Sequence, residues 1–318
     1  MRYIAHRVLL YIPMLLLLTL MVFLLMRVIP GDPALLILAG TSGDGSFTKA
    51  DLANLRRELG TDRPVFVQYA SWIGGLLQGD LGTSLFYRTP IVQELGPRLP
   101  ATFELAIMAG CLSILLAVPL GTLSAVKQDS LLDYLARIFT FAGISIPVFV
   151  TGLVLVYFLV RLFHWFPPLG YAMLWEDPWM NVQQMFFPAV ALAFFELNFT
   201  ARVTRSAMLE VLREDYVRTA RAKGVQERRV VLLHALRNAS LPIVTVAAWS
   251  FARLLGGTII IERIFLVPGV GSLLLDAITA RDYTLIQAIV LVYATIVLTT
   301  NLVVDLLYSW LDPRIRYA

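Results

Sequence analysis

Long apolar stretches alternate with shorter polar ones along nearly the whole chain. A bilayer core of about 30 Å requires roughly 20 predominantly apolar residues in a helix. Stretches of this kind occupy residues 9–29, 101–126, 134–160, 187–207, 241–261 and 285–308. The pattern therefore predicts an all-α polytopic membrane protein with six transmembrane helices.

The overall composition agrees with this class. Hydrophobic residues make up 58% of the 318 positions and charged residues only 15%, and a soluble domain could not cover so much apolar surface. The net charge of +4 does not indicate nucleic-acid binding, because the basic residues lie in segments between the apolar stretches. A single cysteine, Cys111, excludes an intrachain disulfide and a cysteine-built zinc site.

The first apolar stretch allows two interpretations. Arg2 and Arg7 precede it, as basic residues precede the core of a signal peptide. However, residues 9–29 exceed the usual 7–15 apolar residues of a signal core, and no small-residue cleavage site follows. A retained membrane anchor is therefore favoured.

The distribution of Lys and Arg predicts the orientation. Short loops rich in these residues face the cytoplasm, and placing the N-terminus inside puts most basic loops there, including that around Lys127. The long segment at 30–98 also contains basic residues, six in all, but long translocated segments follow this rule weakly. Both termini are therefore predicted to be cytoplasmic, in a multi-pass protein.

The segment at 30–98 is predicted to lie outside the cytoplasm and to contain two helices. Thr48 is a suitable N-cap for a helix at 49–59 that Gly60 would end, and a second helix is predicted at 66–77. Such helices could lie on the membrane or dock a partner. Two regions follow: 1–98, with the first transmembrane helix and this segment, and 99–318, with the other five helices.

Three common catalytic motifs are missing from the sequence. A phosphate-binding loop needs a lysine directly after a glycine. None of the three lysines, Lys49, Lys127 and Lys223, follows a glycine. No histidine is followed by glutamate and no GxSxG elbow occurs. We expect no catalytic residue, no bound cofactor and no metal site in this chain.

Several ionisable residues, among them Glu104, Glu196, Arg253 and Asp305, fall inside the apolar stretches, where charge is costly and often functional. Glu196 and Arg253 lie near the middles of the fourth and fifth stretches. Paired, they would hold two helices together; facing a cavity, they would line a path for a charged solute. Glu104 and Asp305 lie nearer the ends and could reach headgroups or water.

The fifth stretch contains Gly256 and Gly257. Adjacent glycines permit close approach of a neighbouring helix. The alternative is flexing at a gate of a translocation path.

The segment at 208–240 is polar and basic although it connects two apolar stretches. A short helix is predicted from Glu214, with acidic residues at its N-terminal end, Arg221 and Lys223 at its C-terminal end, and Gly224 as its stop. Tyr216, Val217 and Ala220 would form a small apolar face. The helix could rest on anionic lipid or insert into a groove of a soluble partner; the residues leave both possibilities open. Residues 225–238 would lead back to the membrane, and Leu241-Pro242 would open the fifth span.

Short motifs in a fixed order resemble a known family over nearly the whole chain. They are PGDP at 30–33, GDLGTS at 79–84, LPAT at 99–102, TARAKG at 219–224, HALRN at 234–238, ERIF at 262–265, PGVG at 268–271 and DPR at 312–314. Together they resemble the B-type permease subunits of binding-protein-dependent ABC importers for dipeptides, oligopeptides or nickel. The superfamily's Glu-Ala-Ala motif is altered here, since Arg218 and Thr219 replace its first two residues.

This resemblance implies the type I ABC importer permease (MetI-like) fold in a prokaryotic inner membrane. It implies a path shared with a C-type permease subunit in a heterodimer, two ABC ATPase subunits that bind ATP and Mg²⁺, and an extracytoplasmic solute-binding protein. Coupling to the ATPases would fall on Glu214, Asp215, Tyr216, Val217, Arg218, Thr219, Ala220, Arg221, Lys223 and Gly224. Glu196, Arg253, Gly256 and Gly257 remain candidates for the pathway or gate.

The resemblance favours dipeptides or oligopeptides as solutes, with nickel complexes, glutathione or oligosaccharides as alternatives. A stand-alone secondary transporter using Glu196 and Arg253 is a second hypothesis. A membrane scaffold or receptor that docks proteins through its outer segment is a third. Membrane lipid is an expected partner in each case, and nucleic acid is not.

Overall fold

A computed structural model describes residues 2–28, 34, 35, 38, 47–58, 60–168 and 170–311. The PGDP motif at 30–33 and the DPR motif at 312–314 lie outside these residues, as does the side chain of Asp305. The helices in chain order are α1 (Arg2–Val28), α2 (Lys49–Glu58), α3 (Val65–Leu77), α4 (Ile91–Leu95), α5 (Leu99–Val126), α6 (Leu131–Ser145), α7 (Val148–Phe163), α8 (Pro178–Val211), α9 (Asp215–Ala222), α10 (Glu227–Arg229), α11 (Leu236–Ile264), α12 (Val270–Thr279) and α13 (Tyr283–Leu311), with a π-helical turn at Val230–Ala235.

Most of the predicted transmembrane helices are confirmed. Within the described residues, five helical segments are long and apolar enough to cross a membrane, and a bent pair of helices raises the number to six if that pair forms one span. The segments are Leu9–Val28, Ile91–Val126, Pro178–Val211, Glu227–Ile264 and Tyr283–Val304.

The third predicted span is not the continuous helix expected at 134–160. It consists of α6 and α7, which meet at an angle of 105°. Pro147 explains the break, because its ring disfavours a helical conformation of the preceding residue. Ile146 accordingly has extended backbone angles, with φ −89° and ψ 120°.

The start of the fifth span also differs from the expectation. The sequence suggested that Leu241-Pro242 opens it, whereas α11 begins at Leu236 and contains Pro242 within the helix. The π-helical turn at Val230–Ala235 leads directly into α11. The spanning helix is therefore continuous with the end of the polar segment at 208–240.

The chain forms two compact units, the first comprising residues 1–100 and 269–302. Its core is a cluster of buried aliphatic side chains from α4, α12 and α13. The members are Ile91, Leu95, Val270, Leu273, Ala277, Leu285, Ala288 and Ile289.

The two helices predicted in the outer segment are present in the first unit. The Thr48 hydroxyl accepts a hydrogen bond from the Asp51 N–H at 3.1 Å, and the Asp51 carboxylate accepts one from the Thr48 N–H at 2.8 Å, which caps α2. On α3, Tyr69 and Trp72 pack against Phe23 of α1. This face of α3 therefore docks on the chain's own first helix.

The second unit comprises residues 101–268 and 303–318. Its helices approach closely at glycines. A Cβ atom on Gly121 of α5 would lie 2.5 Å from the Ala201 carbonyl oxygen of α8, and one on Gly143 of α6 would lie 2.2 Å from the Asn198 side chain. Because no side chain fits in these positions, α8 can pack directly against α5 and α6.

Candidate functional site

Helix α9 is the predicted short helix of the 208–240 segment, and its end follows a known pattern. The Gly224 N–H donates to the Arg221 carbonyl oxygen at 2.9 Å, and the Val225 N–H donates to the Ala220 carbonyl oxygen at 3.2 Å. These are the two bonds of a Schellman motif. Gly224 has φ +78°, a conformation that glycine adopts without the steric penalty of a Cβ atom. The predicted stop at Gly224 is confirmed.

The apolar face of α9 turns toward the chain itself. Of the predicted apolar residues, Val217 is completely buried and Ala220 is partly buried, whereas Tyr216 is 42% exposed. Arg218, Arg221 and Lys223 are exposed as well. The outward surface of α9 is therefore polar, with the acidic Glu214 and Asp215 at its start and basic side chains after them. An apolar insertion into lipid through this face has little exposed surface to use.

Two side-chain contacts tie α9 to the helices that follow it. The Asn238 side-chain amide donates to the Tyr216 hydroxyl at 2.8 Å. The Arg221 guanidinium donates two bonds to the Glu227 carboxylate, at 2.6 and 3.1 Å. This hydrogen bonding raises the pKa of Arg221 above its ordinary value. Helix α9 is thereby attached to both α10 and the first turn of α11.

A compact apolar cluster lies beneath this attachment. It joins the ends of α5 and α8 to the π-helical turn and to the beginning of α11. Its buried members are Ala125, Ala207, Met208, Val231, Ala235, Ala239 and Ile243. Since buried side chains in a close-packed core transmit displacement, a force on this region reaches several spanning helices.

The pathway candidates Glu196 and Arg253 form a pair. The Arg253 guanidinium donates to both Glu196 carboxylate oxygens, at 3.2 and 2.9 Å, and to the Ser250 hydroxyl at 2.8 Å. The Glu196 side chain is only 2% exposed, whereas that of Arg253 is 44% exposed. The Phe199 ring lies 4.9 Å from the Arg253 guanidinium. The pair joins α8 to α11 and still presents one cationic edge.

The two glycines near Arg253 differ in their surroundings. A Cβ atom on Gly257 would lie 3.4 Å from Leu192, an ordinary packing distance, and one on Gly256 would meet no atom within 4 Å. Close approach within this chain therefore does not explain Gly256. Its assignment to a gate remains a prediction.

Glu104 does not simply reach toward water. Its carboxylate accepts a hydrogen bond of 2.6 Å from the Tyr171 hydroxyl, which attaches the loop between α7 and α8 to α5. Burial and this bond raise the pKa of Tyr171 above its ordinary value. The loop is thus held against the span.

Several polar contacts were not visible in the sequence. Thr102 of the LPAT motif donates to Glu262 of the ERIF motif at 2.8 Å, with both side chains buried. In the first unit, Ser84 of the GDLGTS motif donates to Asp282 at 2.5 Å. Ser84, Thr102 and Glu262 belong to short motifs, which was a signal in the sequence, whereas Asp282 lies outside them. The pairing itself could not be predicted, because each partner is distant in the chain.

Comparison with known proteins identifies the family. Residues 117–317 match the model of the binding-protein-dependent transport system inner membrane component, and residues 1–106 match the corresponding N-terminal model. The chain is 40% identical to the dipeptide transport system permease protein DppB of Escherichia coli (strain K12), covering 100% of this chain and 99% of the relative. It is 39% identical to the probable peptide ABC transporter permease protein y4tP of Sinorhizobium fredii, covering 99% of each.

A solved structure supports the fold. The crystal structure of an amino acid ABC transporter with histidines aligns with a TM-score of 0.53 at 16% identity, over 69% of this chain and 94% of that chain. This likeness establishes the architecture and nothing about the solute. Taken with the two family matches, it shows that the chain is a multi-pass subunit of the binding-protein-dependent transport system inner membrane component family, a transport subunit with the ABC importer permease fold and not an enzyme.

Proposed function

We propose that this chain is the permease subunit of an ATP-driven importer of dipeptides or oligopeptides. Both full-length relatives described above are named for peptide transport, which supports this solute class. In the proposed assembly, a C-type permease completes the translocation path, two ATPase subunits hydrolyse ATP, and an extracytoplasmic binding protein delivers the peptide. Family membership leaves the stand-alone secondary transporter and the scaffold without support.

Helix α9 is the proposed contact with an ATPase. The observation that carries this assignment is its two-sided character: exposed Arg218, Arg221 and Lys223 face outward, while Tyr216 is bonded to the spanning helix α11. A partner that binds the outer face of α9 is therefore connected to α11 through this hydrogen bond. The assignment places the 208–240 segment and both termini in the cytoplasm.

The proposed mechanism is a rigid-body movement. When ATP brings the two ATPase subunits together, the grooves that hold α9 move, and α9 transfers the displacement to the base of α11. Alternation of a transporter between two orientations by rocking of helices is an established type of transition. No chemical step is required of this chain.

The Arg253 side chain is a proposed contact for the solute within the path. Peptides carry a terminal carboxylate, and a guanidinium binds carboxylates through paired hydrogen bonds. Glu196 and Ser250 accept hydrogen bonds from Nε and Nη2 of the guanidinium, and Phe199 lies against its face. Because the side chain is 44% exposed, Nη1 is left for a ligand. Gly256 lies one helical turn from Arg253, and a Cβ atom added there would meet no atom within 4 Å. It is the proposed gate.

Site-specific cross-linking tests the ATPase contact. Cys111 is first replaced by serine, and a new cysteine is introduced at Ala222 or Lys223 on the exposed side of α9. We expect disulfide or short-linker cross-links to an ATPase subunit carrying cysteines along its groove. Leu233→Cys is the matched control, since Leu233 is 62% exposed on the π-helical turn and outside α9. Equal cross-linking at the control position would contradict the assignment.

A transport assay then tests whether α9 couples ATP hydrolysis to transport. Arg218→Glu reverses one outward charge on α9, whereas Arg229→Glu reverses an exposed charge on α10. In proteoliposomes containing the complete transporter and binding protein, we expect Arg218→Glu to reduce ATP-dependent peptide uptake at least fivefold more than Arg229→Glu. Uptake at the wild-type rate with Arg218→Glu would exclude α9 as the coupling contact.

A further inference from the structure

A small cleft in the second unit has three arginines in its wall. It lies between α5, α6 and α8, opens to the surface and has a free volume of about 20 Å³. Arg137, Arg202 and Arg205 line it, together with Ser124. Three cations around one small volume are costly unless anions compensate them, so the charges of the cleft must be accounted for one by one.

Arg205 is fully compensated within the chain. Its guanidinium donates to both oxygens of the Asp133 carboxylate, at 2.8 and 2.7 Å. Asp133 also accepts a hydrogen bond of 2.5 Å from the Ser124 hydroxyl. The Asp133 carboxylate is completely buried and forms an ion pair with Arg205. This ion pair holds α6 against α8 at the edge of the cleft.

Arg137 and Arg202 lack comparable partners. The Arg137 Nε lies 3.9 Å from the nearer Asp133 oxygen, which is beyond hydrogen-bonding distance. Among the described residues, the buried Nε atoms of Arg137 and Arg202 both have no hydrogen-bond acceptor. A buried donor without an acceptor is unfavourable because its lost hydration is not replaced. Within the part of the chain that the structure describes, the cleft therefore retains an excess of positive charge and two unmet donors.

Aromatic rings hold both guanidinium groups in place without neutralising them. Arg137 lies 4.4 Å from the Tyr134 ring centre, and Arg202 lies 5.4 Å from that of Phe141. Stacked guanidinium groups are rigid and keep their edges available for hydrogen bonding. The arrangement is thus preorganised for an anion with several oxygen atoms.

The position of the cleft indicates where this anion comes from. It is formed near the C-terminal ends of α5 and α8 and the N-terminal half of α6, so it lies toward the same membrane face as the 208–240 segment that follows α8. On α6, Leu135 is 53% exposed, Ile138 65% and Phe139 45%. Apolar surface of this kind beside a basic cleft is suited to the acyl chains of a lipid whose phosphate oxygens reach the cleft.

We propose that this cleft binds the phosphodiester headgroup of an anionic phospholipid. The phosphate oxygens would accept hydrogen bonds from Arg137 and Arg202, since guanidinium groups bind phosphate through paired, charge-assisted bonds. The lipid would complete the contact of α6 with α8 that Asp133 and Arg205 begin. Its chains would lie along the exposed face of α6.

Lipid binding by the purified complete transporter tests this site. After delipidation in mild detergent, phosphatidylglycerol or phosphatidylcholine is added, and bound lipid is measured by native mass spectrometry and by the thermal unfolding midpoint. We expect the wild-type protein to retain phosphatidylglycerol preferentially and to unfold at a higher temperature with it. Removing one charge-assisted contact by Arg137→Gln or Arg202→Gln should weaken this binding about tenfold.

Arg213→Gln is the matched control, because Arg213 is exposed on the same side of the protein and outside the cleft. It should leave phosphatidylglycerol binding unchanged. Equal retention of phosphatidylcholine by the wild-type protein would overturn the proposal, and this comparison needs no variant to fold. Equal stabilisation by inorganic phosphate alone would assign the cleft to a free anion, and an equal loss with Arg213→Gln would reduce the effect to general surface charge.

Discussion

The side-chain amide of Asn238 donates a hydrogen bond to the Tyr216 hydroxyl at 2.8 Å, and the same nitrogen donates to the His234 carbonyl oxygen at 2.9 Å. Tyr216 lies in the first turn of α9, and Asn238 lies in the first turn of α11. One amide therefore joins the exposed basic helix, the π-helical turn and a membrane-spanning helix. This amide is a direct polar connection between the proposed ATPase contact and a spanning helix.

Tyr216→Phe removes only one bond of this connection. A single hydrogen bond contributes about 1 kcal/mol, so we expect peptide uptake per ATP hydrolysed to fall about fivefold while the ATPase subunits remain bound. Tyr157→Phe, which removes a hydroxyl from an exposed position on α7, is the control. The measurement is simultaneous uptake and phosphate release in proteoliposomes. Unchanged stoichiometry would show that the bond does not transmit movement.

The Glu196–Arg253 pair should respond unequally to removal of its two members. Arg253→Ala leaves a buried carboxylate without its cation and should destabilise the protein by about 3 kcal/mol. Glu196→Ala leaves an arginine that is 44% exposed and can be solvated, so its effect should be nearer 1 kcal/mol. Thermal unfolding midpoints of the purified transporter measure the difference. Equal destabilisation by both variants would contradict the asymmetric burial.

Alanine substitutions should separate glycines that permit packing from the glycine proposed as a gate. Gly121→Ala places a methyl group 2.5 Å from a backbone oxygen and should destabilise the protein by about 1–3 kcal/mol. Gly256→Ala has open space and should leave stability unchanged or slightly higher, by at most about 1 kcal/mol.

Transport by the Gly256→Ala variant then tests the gate directly. Slower uptake at unchanged stability would support flexing at this position, because alanine stiffens the helix. Wild-type uptake would remove Gly256 from the proposed gate. Gly121→Ala serves as the comparison in which stability and transport fall together.

The Ser84–Asp282 contact should control the order of the GDLGTS turn in the first unit. Asp282 is 1% exposed and also accepts hydrogen bonds from the backbone N–H groups of Phe86 and Leu285, at 3.1 and 3.0 Å. Asp282→Ala leaves these donors unmet and should destabilise the turn by about 2–3 kcal/mol, against about 1 kcal/mol for Ser84→Ala. Limited proteolysis and hydrogen exchange of residues 79–90 provide the measurement. Equal protection in both variants would contradict this role for Asp282.

The sequence by itself determined the membrane class, most of the spanning segments and the short helix with its end at Gly224. These features depend on local properties: the length of an apolar run, the capping of a helix by adjacent residues and the missing Gly-Lys pair of a phosphate-binding loop. The break at Pro147 was also encoded locally, in the restriction that proline places on Ile146, although the apolar run concealed it.

Only the tertiary structure decided which distant side chains meet. Glu196 and Arg253 are 57 positions apart, Asp133 and Arg205 are 72 apart, and Tyr216 and Asn238 are 22 apart. Whether such residues pair depends on the rotation and register of packed helices, which are fixed by close contacts such as Gly121 against Ala201. An apolar run specifies that a helix crosses the membrane, but not which of its faces turns toward which neighbour.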